Sequence, residues 1–84
     1  MLKAKVEVRL KKGVVDPEGK NITKALHLLH FNEVKEVKVA KVFEIFIADE
    51  KKEEAMKKVD EMCKKLLANP VINEYSISIE EIHD

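Results

Sequence analysis

Apolar and polar residues alternate at the start of the chain, where Ala4, Val6, Val8 and Leu10 are separated by Lys5, Glu7 and Arg9. A period of two belongs to a strand with one buried and one solvated face. Ile22, Ala25, Leu26 and Leu29 then fall at i, i+3, i+4 and i+7, one stripe of a helix over about 17–29. From 34 to 48 the period returns to two. Val37 and Val39 alternate with Glu36 and Lys38, and Phe43, Ile45 and Ile47 share a face of the segment that follows. Ala40 and Lys41 lie between them. Neither is a favoured hairpin-turn residue, so the region reads either as a short hairpin or as one bent, continuous strand. A second, longer helix over about 50–68 carries Ala55, Met56, Val59, Met62, Cys63, Leu66 and Leu67 on one stripe. Asp49 is its expected cap, and Asn69-Pro70 stops it. In the last strand Tyr75, Ile77 and Ile79 face one way, against Glu74, Ser76, Ser78 and Glu80.

The predicted order is β-α-β-β-α-β in one domain, 1–84. It implies an α+β, two-layer, ferredoxin-like unit, with an antiparallel sheet and two helices on one face. One strand breaks the expected polarity. The second face of 42–48 is Val42, Glu44, Phe46 and Ala48, far more apolar than the outer face of the first strand. Helices on one side only would leave Val42 and Phe46 wet, so these two residues are expected at a homo-oligomer interface formed through the sheet. An 84-residue chain also has a marginal core on its own, which favours association.

Charge changes the picture by exclusion. Sixteen basic and sixteen acidic residues are interspersed, and Arg9 is the only arginine. Nucleic-acid binding would favour a net basic patch, so no such partner is expected. No apolar run approaches the ~20 residues needed to cross a bilayer, and no membrane association is expected. Cys63 is the only cysteine. It excludes an intrachain disulfide and fits a cytoplasmic protein.

Candidate chemistry is sparse. His27 and His30 lie three apart near a helix end but lack carboxylates or cysteines at ligand spacing, so no metal site is expected. Cys63 falls within an apolar stripe and reads as a structural thiol. Lys12 to Gly19 holds both glycines of the chain. Asp16-Pro17 is a helix-start signal, because the Asp side chain accepts from free N–H groups and Pro needs no donor at the first helical position. Gly13 permits a positive φ. The glycine order does not match a phosphate-binding loop, since Asn21 stands where a hydroxyl residue is required. Free N–H groups at a helix start suit weak anion binding, which Asp16 opposes as an anion at the same place. The residues therefore describe a small oligomeric module with no catalytic set. A dimeric metabolite-binding or regulatory module is the alternative from a different class.

The segment from Lys11 to Gly19, the runs Ala25-Leu26-His27 and Phe31-Asn32-Glu33-Val34-Lys35-Glu36-Val37, and Met62 to Ile72 followed by Glu74-Tyr75 carry a resemblance. On them the chain resembles PurS, the small-subunit family of the three-component phosphoribosylformylglycinamidine (FGAM) synthase. Ala40 stands where the family usually has Gly, and Asn73-Glu74 where it often has an acidic pair. The resemblance implies a non-catalytic subunit, a homodimer or homotetramer, that bridges a glutaminase subunit and a large synthetase subunit and supports ammonia transfer. The complex would use ATP and glutamine, while this chain binds no cofactor. Gly13, Asp16, Pro17 and Gly19 are expected to set loop shape and partner contact. Lys41 and Glu44 are further contact candidates, at the second hairpin.

Overall fold

The computed structural model describes residues 1–48 and 51–83. In chain order it contains β1 (Leu2–Leu10), α1 (Pro17–Leu28), β2 (Ala40–Ile47), α2 (Lys52–Met62) and β3 (Asn73–Glu81). A π-helical turn, Cys63–Leu67, extends α2. The sheet is antiparallel in the order β2-β1-β3, with the first strand in the middle.

Register follows the alternation. Ala4 lies between Ile45 and Ile79, Val6 between Phe43 and Ile77, and Val8 between Lys41 and Tyr75. This face meets Val59 and Cys63 of the second helix and its extension, and Ala4, Val6, Val8, Val59 and Cys63 form the buried core. Phe43, Ile45, Ile47, Leu67, Tyr75, Ile77 and Ile79 pack around it. The other face carries charge along β1, with Lys3 bridging to Glu44 at 2.6 Å. On the same face Val42 and Phe46 are 52% and 58% exposed.

The α+β class and the antiparallel sheet are as expected, but two features differ. Segment 34–39 forms no ladder, so the sheet has three strands and the expected hairpin at Ala40-Lys41 does not form. The Val37 and Val39 amides are taken by the side chains of Thr23 in α1 and of its cap Asp16, and Ala40 begins β2 directly. Only one helix covers the sheet. No residue of α1 joins the core, because 34–39 and α1 form a unit of their own beside it. The radius of gyration, 16.5 Å, therefore exceeds the roughly 12 Å of a compact chain of this length.

Both helix ends deserve a physical account. Asp16 caps α1 by accepting from Gly19 N–H at 2.9 Å, with Pro17 next to it. The helix closes at His30, whose φ of 73° turns the chain and lets Phe31 N–H reach Leu26 O. The expected cap of the second helix, Asp49, lies outside the described residues. At the far end of that helix Ala68 N–H donates to Cys63 O, a widened turn that leaves Leu66 83% exposed.

Candidate functional site

Of the residues singled out by sequence, Gly13, Asp16 and Pro17 gather at one end of the sheet, around the loop from Lys11 to Asp16. Gly13 adopts φ 89°, a conformation that only glycine enters without strain. Val14 N–H then closes the turn onto Lys11 O at 3.1 Å.

Asp16 is the hub. One carboxylate oxygen accepts from Gly19 N–H, and the other accepts from Val39 N–H at 2.9 Å. These two donors, Val39 the stronger, hold the carboxyl below the usual aspartate range. Along the same side of α1, Thr23 accepts from Val37 N–H at 3.0 Å while donating to Gly19 O at 2.8 Å. His27 Nε2 donates to Val34 O at 2.6 Å. Asp16, Thr23 and His27 thus strap segment 34–39 to the helix as an arm. Gly19 is buried beneath the strap, where a Cβ would run into Val37 O. Its part is to let the two backbones meet, and it offers no surface to a partner.

An open cleft of about 1200 Å³ lies between this arm and the end of the sheet, and Gly13, Asp16 and Pro17 line it. Its cationic residues Arg9, Lys11, Lys12, Lys20, Lys24, Lys35 and Lys38 outnumber Glu7, Asp16, Glu36 and Glu74. The cleft is suited to a docking surface with acidic character.

The turn from Asn69 to Asn73 reaches the same end from the other side. Asn69 O accepts from Asn73 N–H at 2.7 Å, and the Asn69 side chain accepts from Val71 N–H at 2.9 Å. Asn73 Oδ1 accepts in turn from Asn69 N–H at 2.8 Å. Lys11 ties this turn to the opening loop, its Nζ donating to Pro70 O at 2.8 Å. The two motifs are therefore stitched together at one corner. Val15 and Val71 are exposed beside it.

Lys41 and Glu44 do not join this corner. With no hairpin to carry them, they lie within β2, Lys41 opposite Val8 and Glu44 opposite Lys5. The strand alternation puts them on opposite faces. The Lys3 ammonium lowers the Glu44 carboxyl from its ordinary range. Sequence reasoning missed Thr23 and weighed His27 only as a metal ligand and as part of the resemblance, not as a strap residue. Their signal was a polar column at 16, 23 and 27, one face of α1 beside the apolar stripe. Cys63 is buried, and burial raises its thiol above the ordinary range. Among the described residues no three His, Cys, Asp or Glu side chains cluster as a metal set would.

This geometry accompanies close relatives. The family model described as PurS, phosphoribosylformylglycinamidine (FGAM) synthase, matches residues 3–81. The chain is 52% identical to the phosphoribosylformylglycinamidine synthase subunit PurS of Methanocaldococcus jannaschii, over 98% of this chain and 99% of that one. It is 45% identical to the Bacillus subtilis subunit of the same name, over 98% and 96% of the two chains. The crystal structure of the M. jannaschii protein is similar with a TM-score of 0.90, covering 99% of this chain and all of that one, at 52% identity. A chain in the structure of PurLQS from Thermotoga maritima is similar with a TM-score of 0.84, at 30% identity over 94% and 96% of the two chains. The chain thus belongs to the PurS family of FGAM synthase.

Proposed function

We propose that the chain serves as the small, non-catalytic subunit of an FGAM synthase in purine biosynthesis. In this reading it bridges a glutaminase subunit and a large synthetase subunit and supports the passage of ammonia between them. One observation carries it: nearly the whole chain is similar to the subunit found with PurL and PurQ in the T. maritima structure. The site adds physical support. Its motif residues are spent on shape, with Asp16 and Gly19 fixing the arm and Asn69 and Asn73 fixing the turn. A subunit that seals an interface keeps ammonia from water, where it would be protonated and lost as a nucleophile.

ATP and glutamine are assigned to the partner subunits. The contact surface is assigned to the corner of Gly13, Asp16 and Pro17, with Lys41 and Glu44 as secondary contacts along β2. Homo-oligomerisation through the sheet, with Val42 and Phe46 covered, completes the reading. Adding the chain to the two large subunits should raise glutamine-dependent amidine formation several-fold and ammonia-dependent formation much less. Equal stimulation of both, or no co-elution with either subunit, overturns the bridging role.

A further inference from the structure

The balanced charge of the chain conceals a division along it. Residues 1–48 hold ten lysines and arginines against six acidic residues, and residues 49–84 hold six against ten. The fold collects much of the first surplus in one place. The residues lining the cleft beside the arm all come from 7–40, apart from Glu74.

Local pairing sharpens the imbalance. Arg9 is held by Glu7, Lys38 lies 3.8 Å from Glu36, and Lys11 donates to Pro70 O. Both Asp16 oxygens are taken by backbone N–H groups. Lys12, Lys20, Lys24 and Lys35 have no such partner among the described residues, and Glu74 is the only carboxylate of the cleft without one. Four unneutralised ammonium groups thus come to the cleft from three elements, the opening loop, α1 and the arm. Lys20 and Lys24 stand one turn apart on the same side of α1. Like charges at that spacing repel, and an anion lodged beside them relieves the repulsion.

Shape and donor type narrow the occupant. Small-molecule sites are mostly apolar, enclose their ligand and run to about 300–1000 Å³. This cleft is open, about 1200 Å³, and bordered by long, flexible lysine stems. Its one guanidinium, Arg9, is engaged by Glu7, so no free fork is left to grip a phosphate at two points. Separate ammonium groups suit carboxylates spaced along an extended chain. The protein's own acids do not offer such a run. Among the described residues of 49–84 they lie within α2 or in the β3 ladder.

We propose that the cleft receives an extended acidic segment of one of the larger subunits, with Lys12, Lys20, Lys24 and Lys35 meeting its carboxylates. The inference rests on the bridging reading above and gives that contact its chemistry. Exposed charges of this kind act mainly on the rate and salt dependence of association.

Carbodiimide coupling joins an amine to a carboxylate in direct contact, and it tests the contact in the complex of the full chain with both larger subunits. Peptide mapping should place cross-links from these lysines on one acidic run of one partner. K20E/K24E should weaken assembly roughly tenfold at low salt. That deficit should shrink as salt rises from about 0.05 to 0.5 M and screening shortens. K52E/K57E, an equal change of net charge on α2, should assemble as the wild type does. A wild-type chain that joins neither larger subunit overturns the bridging reading and this one together. Where the wild type assembles, cross-links that run only to a second copy, or that scatter over the partners, overturn the acidic segment alone. So does a K20E/K24E chain that assembles as tightly as the wild type, or that loses no more than K52E/K57E.

Discussion

Gly19 shows how one missing methyl group decides local geometry. In an open helix, alanine in place of glycine stabilises by about 1 kcal/mol. Here the added Cβ meets backbone, Val37 O, and not the yielding end of a side chain. Overpacking of that kind costs about 1–3 kcal/mol, so the clash outweighs the propensity gain. Gly19→Ala should loosen the arm, read as faster amide exchange at Val37 and Val39. Asp16 sets a pH limit on the same contact. Its folded-state carboxyl lies below the ordinary value, so its stabilising effect is fully present above about pH 4 and is lost as pH falls through the lowered value. Protection of the Val39 amide should fall across that acid window. In Asp16→Asn the dependence should flatten, since an amide does not titrate there, and protection should be lower at every pH, since it offers one acceptor oxygen where the carboxylate offers two.

At the scale of elements, helix and sheet are joined mainly through one column of small residues. Ala55, Val59 and Cys63 are fully buried, and all three lie on the line of α2. Val59→Ala removes two methyl groups from a site with no exposure and should cost about 2 kcal/mol in chemical unfolding. Tyr75 reinforces the junction by donating to Asp60 at 2.6 Å, with Lys64 2.9 Å from the same carboxylate. β1, β3 and the Ala55–Val59–Cys63 line of α2 were legible in the sequence because period and burial agree there, whereas the α1 stripe stays largely uncovered, with Ile22 and Leu29 exposed and no α1 residue in the core. The segment 34–39 was not legible. Its alternation is that of a strand, yet Asp16 and Thr23 outbid a ladder for its amides, and side-chain acceptors on a helix leave no mark in hydrophobic period. The candidate site was half legible. Asp16, Pro17 and the glycines stood out, whereas Thr23 passed as an ordinary helix residue and His27 was weighed only for metal binding and the resemblance.

The whole molecule is a thin body, 50 × 32 × 15 Å. One side of its sheet is roofed by α2 and the other is open, with Val42 and Phe46 more than half exposed among charged neighbours. The homo-oligomer reading places these residues against a second copy of the chain. Phe46→Asp would put a charge where burial is required, a loss of several kcal/mol in any assembly that covers it. The expected result is a smaller species in sizing chromatography with an unchanged circular dichroism spectrum. An unaltered elution volume would show that this face stays wet.

The central place of β1 has a consequence for how the chain is made. Of the three strands β1 is made first and is the one both others must join, and Leu2 waits for Glu81 of the third. Until then Ala4, Val6 and Val8 have only β2 beside them and no finished roof. Contacts this distant in sequence close slowly, and the nascent chain keeps one side of an apolar strand unpaired until β3 has been made. The arm escapes this delay. Asp16 and Val39 are local partners, so it can be complete while the sheet is still one strand short.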